Sequence, residues 1–252
     1  MDGALDAAST EDDMIEFLGE VAGFLSAPEN WWGSRGLLVR TRDHLLLSAF
    51  AVAVATAISL PPALWLGHRR RGGATVSALV NIGRAVPSFG IVAIMLPISL
   101  WLGLGIGFWP TFVALVALAM PPIFTNTYTA VAEVDPAIRE AALGMGMTGT
   151  QLLFRTELPL AMPVIWTSIR VSAVQVVATA TLGAVVGWGG LGRYVIDGFA
   201  QGNDVFVFVG GAAVALLAVV ADLVFSWTEP LVLPAGTGHR DRGEIRQSTA
   251  SV

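Results

Sequence analysis

Cysteine and lysine are both absent from the 252 residues. Without cysteine there is no disulfide, no thiolate zinc site, no cysteine-ligated iron–sulfur cluster and no catalytic thiol. All 14 basic residues are arginine, so the phosphate-gripping lysine of a P-loop is missing and a standard ATP site of that kind is excluded. Charge is scarce at 13%, against about 25% in globular proteins. The three histidines, His44, His68 and His239, read as lying at or beyond the ends of apolar runs. Neither an HExxH nor a GxSxG motif is present, which argues against a membrane-embedded hydrolase. The net charge is −5, and nine acids against three arginines fall within residues 1–43. No basic patch exists to meet a phosphate backbone, so nucleic acid is not an expected partner.

What the chain has in excess is apolar side chains, 54% of the total, with a mean hydropathy of +0.69. They are gathered into uncharged runs. Leu45–Leu66 spans 22 residues without a charge, enough to cross ~30 Å of hydrocarbon at ~1.5 Å per residue. Ala85–Leu102, Phe108–Ala132, Val164–Trp188 and Val205–Trp227 repeat the pattern, the fourth run carrying Arg170 and the fifth Asp222. The expected fold is an all-α, polytopic membrane helix bundle of about five spans, with a sixth if Ala74–Val86 is one. Pro61–Pro62, Pro87, Pro97, Pro121–Pro122 and Pro163 fall within these runs, and spans tolerate them where neighbouring protein satisfies the freed backbone groups.

Arginine placement sets the expected orientation. Alternate loops collect Arg69, Arg70, Arg71, Arg139, Arg155, Arg240, Arg242 and Arg246 on one side, eight in all, against Arg35, Arg40, Arg42 and Arg193 on the other. This predicts a multi-pass plasma-membrane protein with its N-terminus outside and its C-terminus in the cytoplasm. Residues 1–43 read as an acidic extension, extracytoplasmic or interfacial. Met14, Leu18, Val21 and Leu25 follow a helical spacing, beside Trp31 and Trp32, which suit a membrane–water boundary. A helix lying flat on the bilayer and a helix packed on its own protein both fit. Residues 231–252 read as a polar, disordered cytoplasmic tail.

Between the third and fourth of these runs, residues 133–161 carry charge and glycine. Asp135–Pro136 is a helix start signal, an N-cap acid followed by proline at the first position. Thr148 and Gln151 form a capping-box pattern for a second helix, which presents Leu152, Leu153 and Phe154 and is expected to break near Pro159. Two capped cytoplasmic helices can dock a partner or merely cover the bundle, and periodicity does not choose between these.

Glu140–Ala141–Ala142, Gly146 and Leu158–Pro159 stand at the spacing of the "EAA" loop and resemble that of ATP-binding-cassette importer permeases. Thr156 occupies a position that is usually aliphatic there. "NTYT", "GMGMT" and "TATLGA…GGLG" are similar to the permeases of osmoprotectant importers, over roughly residues 40 to 230. The resemblance implies that residues 44–230 form the transmembrane domain and that the loop bears coupling helices. It implies no catalysis and no cofactor on this chain, with ATP and magnesium held by a partner ATPase. The other implied partners are a second permease subunit, identical or not, and an extracytoplasmic solute-binding protein. The implied cargo is a compatible solute such as glycine betaine, choline, carnitine or proline, with another small solute such as methionine as the alternative.

Glu140, Ala141, Ala142, Gly146, Leu158 and Pro159 are then the expected ATPase contacts. Asn126, Thr127, Tyr128, Gln175, Thr179 and Thr181 are candidates to line the pathway, although each can equally bond a neighbouring helix. Gly189, Gly190, Leu191 and Gly192 fall outside the membrane and are candidates for a flexible gate. An ionisable Asp222 within a span is a functional candidate by default. It fits proton coupling in a secondary transporter or a hydrogen bond to a neighbouring helix, and the resemblance implies the latter. Arg170 is expected to snorkel to the interface. No clear inverted repeat supports the secondary-transporter reading.

Overall fold

A computed structural model describes residues 2–72, 78 and 88–232, with side chains from residue 12 onward. The possible sixth span Ala74–Val86 apart from residue 78, the residues Arg84, Pro87 and His239, and the polar tail from 233 lie outside the described residues. All the regular elements among the described residues are helical, as the uncharged runs predict.

The element order is α1 (Asp2–Ser26), α2 (Leu37–Arg69), α3 (Ser88–Trp101), α4 (Phe108–Ala132), α5 (Pro136–Gly144), α6 (Gly149–Leu152), α7 (Leu158–Thr179), α8 (Gly192–Gln201) and α9 (Asp204–Val232). A π-turn over Leu153–Glu157 fuses α6 to α7, and a 3-10 segment over Ala180–Val186 continues α7. Four helical stretches among the described residues are long and apolar enough to cross a membrane: Leu37–Arg69, Phe108–Ala132, Gly149–Val186 and Asp204–Val232. The described part of the second run, α3, is apolar and 14 residues long, and residues 85–87 of that run lie outside the described residues.

The bundle's centre is built from α2, α4 and α7. Leu47, Ala51 and Ala55 recur every fourth residue of α2 and meet Phe112, Leu115, Ala119 and Ile123 of α4 with Ala173, Val176 and Ala180 of the α7 rod. Small residues at 51, 55, 119, 173 and 180 let the backbones approach closely, which is the packing that substitutes for a hydrophobic drive inside lipid. A second cluster joins α8 and α9 to α1 and the first residue of α2. Large apolar side chains point outward along α9, among them Leu216, Val219, Leu223 and Val224, the inside-out pattern of a helix bathed in lipid.

Two boundaries and one packing face differ from expectation. The first span begins at Leu37, so His44 is not at its end; it lies two turns inside α2, buried, with its Nε2 2.8 Å from the carbonyl of Val177. The loop's second helix does not break at Pro159, because the π-turn ends with the Leu158 N–H bonded to the Leu153 carbonyl and proline then sits in the first turn of α7. The proline directly follows the π-turn, where the helix has already left regular i→i−4 bonding. In α1 the residues that pack are Phe17, Val21 and Phe24, against Phe206, Phe208 and Tyr194. Of the expected stripe only Val21 is buried, while Met14, Leu18 and Leu25 are exposed.

Candidate functional site

The loop between α4 and α7 folds as its capping signals predict. The Asp135 carboxylate accepts from the Ala137 N–H at 2.8 Å, with Pro136 at the first helical position. Thr148 and Gln151 form a complete capping box, the Gln151 side chain accepting from the Thr148 N–H at 2.9 Å and the Thr148 hydroxyl from the Gln151 N–H at 3.3 Å. Between the two helices Gly146 takes φ +84°, and its N–H bonds the Leu143 carbonyl at 2.9 Å. This left-handed turn, rather than any close neighbour, requires the glycine: the space where its Cβ would sit is open.

α5 stands out from the protein. Glu140 and Ala141 are exposed, as are Ile138, Leu143 and Met145, the last at 73%. Phe154 on the π-turn is 56% exposed. Ala142 differs from its expected neighbours on the contact surface, since it is buried at 3% and faces the rest of the chain. Leu152 is buried too, while Leu158 and Pro159 are half-buried at the base of α7. The outer surface of the loop is therefore Glu140, Ala141 and Gly146 set among exposed apolar side chains.

What holds this loop in place is an ionic cluster that spacing alone does not reveal. Glu157 has 0% exposure. Its Oε1 accepts from the Arg139 guanidinium, and the His68 Nδ1 lies 2.6 Å from Oε2. An ionised carboxylate only accepts, so the Nδ1–H donates. Arg139 also donates to the His68 carbonyl at 3.2 Å, and Arg70 donates to the Val134 carbonyl. Burial, then the neighbouring Arg70 charge, lowers the Arg139 pKa from its ordinary value, but a guanidinium stays charged at any working pH. The sequence offers one cue, an acid placed between helix and proline in "TELP", with no indication of its partners.

The candidate pathway residues do not converge on one site. Asn126, Thr127 and Tyr128 sit near the loop end of α4 and Gln175, Thr179 and Thr181 near the far end of the α7 rod. At ~1.5 Å per residue the first group lies about 8 Å from its helix's loop end and Gln175 about 26 Å from its own. Thr127 is fully buried with its hydroxyl unpartnered by protein, Gln175 is exposed, and the Thr181 hydroxyl donates to the Ala178 carbonyl at 3.0 Å. The carbonyl of Tyr128 packs against Gly67 of α2.

The glycine-rich segment at 189–192 is closely packed. Leu191 has 0% exposure, a Cβ on Gly190 would lie 3.1 Å from the His44 ring, and one on Gly192 would lie 2.4 Å from the Thr181 carbonyl. These glycines seat α8 against the bundle. Tyr194 then ties α8 to the segment before α2, its hydroxyl donating to the Arg35 carbonyl at 2.9 Å. Arg170 forms a two-pronged pair with Asp222 across α7 and α9 at 2.6 and 2.7 Å, so the hydrogen-bonding reading of Asp222 is the one observed.

Residues 45–233, most of the chain, match the family described as the binding-protein-dependent transport system inner membrane component. The chain belongs to this family. It is 35% identical over 200 residues to a glycine betaine/carnitine/choline transport system permease protein of Bacillus subtilis, covering 79% of this chain and 90% of that one. An osmoprotectant import permease protein of Salmonella typhimurium is 31% identical over 225 residues, 89% of this chain and 99% of that one. The fold of the methionine ABC transporter MetNI in an inward-facing conformation superposes with a TM-score of 0.68 at 25% identity, over 79% of this chain and 97% of that one. The chain is thus a permease, a multi-pass membrane protein whose family makes it a transport subunit. The resemblance seen in the "EAA" loop and in "NTYT" is borne out by these relatives.

Proposed function

We propose that the chain forms the translocation pathway of an ATP-driven importer for compatible solutes of the glycine betaine, choline and carnitine type. It is driven by a separate ATPase through residues 133–161. The observation that carries this reading is the outward display of Ile138, Leu143, Met145 and Phe154 beside Glu140, Ala141 and Gly146. A loop that only covered the bundle would turn these apolar side chains inward, and an exposed apolar patch with a charged rim is the mark of a docking surface. The loop arginines favour placing it in the cytoplasm, where the ATPase works, with α1 and α8 on the outer side facing a solute-binding protein.

In this arrangement Glu140 meets a cation of the ATPase, Gly146 keeps the turn between the two helices tight, and ATPase closure displaces α5. The bundle of α2, α4 and α7 then rocks against a second permease subunit, opening alternately to each side. The Gly189–Gly192 segment moves with α8 as one body in this scheme, because its glycines are seated rather than loose. The cargo assignment follows the sequence relatives, since their identity of 31–35% exceeds the 25% to the methionine transporter. Affinity recovery of the chain from mildly solubilised membranes tests the reading. An ATPase and a solute-binding protein co-purify with the unaltered chain, and Glu140→Lys or Gly146→Leu loses the ATPase. Recovery of the chain alone, active in transport, overturns it.

A further inference from the structure

α5 is attached to the rest of the protein at few points. Ala142 is its one buried residue, and Arg139 is the side chain it sends into the cluster. We infer that Arg139, Glu157 and His68 form the mechanical link that passes displacement of α5 into α2 and α4. This inference rests on reading α5 as the helix that meets the ATPase, and it adds a second route to the covalent one through α7.

Three observations support it. First, the link joins three elements through a carboxylate with 0% exposure. Removing one partner of a buried pair strands a charge in low dielectric, so the cluster holds while α5 is pushed or pulled. The Arg139 bond to the His68 carbonyl and the Arg70 bond to the Val134 carbonyl fasten the loop to the end of α2 again.

Second, the link continues into the bundle without slack. Gly67, adjacent to His68, lies so near α4 that a Cβ there would be 2.9 Å from both the Tyr128 carbonyl and the Val131 side chain. On the other side of His68, Gly149 leaves its Nε2 3.5 Å from where a Cβ would stand. The imidazole is therefore held between α6 and the carboxylate, and a shift of His68 moves α2 against α4.

Third, the covalent route departs from regular α-helix where the ionic one begins. The π-turn ends at Glu157, and π-turns locally depart from regular helix, frequently at functional sites. α7 can hinge there while the cluster carries the displacement to α2. Glu157 is thus a positioning residue for coupling, acting through His68 and Arg139 rather than on the solute.

The test uses the transporter reconstituted in proteoliposomes with its ATPase and binding protein, measuring ATP hydrolysis and solute uptake together. Glu157→Gln is expected to keep the ATPase bound and hydrolysing while solute moved per ATP falls at least about fivefold, the lower end of coupling between sites. Glu157→Asp recovers part of the ratio. An unchanged ratio in Glu157→Gln overturns the inference, and so does loss of the ATPase from that variant, which makes the cluster a scaffold for the docking surface alone. If Glu157→Gln fails to accumulate, His68→Ala takes its place: a fall in the ratio with the ATPase bound supports the link, and an unchanged ratio or a lost ATPase overturns it. Failure of the unaltered chain to bind any ATPase strikes the proposed function instead.

Discussion

Gly146 acts through its backbone and Asp222 through its side chain. Gly146 has open space around its Cα and a φ of +84°, so what it supplies is conformational freedom. Gly146→Ala is expected to cost about 1 kcal/mol through left-handed strain, read as a lower thermal midpoint with the ATPase still bound, while the bulk of Gly146→Leu blocks docking. Asp222, an acid in an apolar span, is legible as a candidate for proton coupling, and the structure instead gives it Arg170 at 2.6 and 2.7 Å with Glu229 3.9 Å from the same guanidinium. Asp222→Asn should therefore lower thermostability in detergent, and uptake should be indifferent to a proton gradient in parent and variant alike. The exchange Arg170→Asp with Asp222→Arg should restore much of it, and uptake driven by a pH gradient without ATP contradicts this assignment. The partner of Arg170 sits on a helix 52 residues away, a pairing that hydropathy cannot register.

At the scale of elements, local signals read well and long-range ones poorly. The apolar run Phe108–Ala132 predicts a span, and α4 has the same bounds. Asp135–Pro136 and Thr148–Gln151 predict helix starts that both form, since capping is settled by neighbours three residues apart. Pro159 misleads because helix continuity there depends on the π-turn before it. The α1 stripe misleads because half of a broad apolar arc packs on α9 and half does not, which periodicity cannot divide. The Glu157 cluster draws its members from positions 68, 139 and 157, too distant in sequence for any spacing rule. Because the caps hold the loop's two short helices, Asp135→Ala and Thr148→Ala should each destabilise them by about 1 kcal/mol. Hydrogen exchange checks this: amides of 137–144 should lose protection in the first variant and those of 149–152 in the second, with α2 and α4 unchanged. Equal protection in variant and parent contradicts the assigned caps.

As a whole molecule the chain is, over the described residues, a lipid-facing bundle with a polar, apolar-patched projection at the loop 133–161. Membership of the inner membrane component family fits the proposed division of labour, in which another subunit supplies the energy. The buried core of small residues in α2, α4 and α7 permits close packing that still slides, while the loop is held to α2 by the ionic cluster. The central claim is that transport by this bundle is driven by ATP through residues 133–161. The most direct measurement is uptake of labelled glycine betaine into proteoliposomes holding the permease, its ATPase and its binding protein, with and without ATP. Uptake should require ATP and both partners, and Glu140→Lys should abolish it while leaving the chain folded by thermal unfolding. Uptake by the permease alone, or undiminished uptake by Glu140→Lys, would contradict the account.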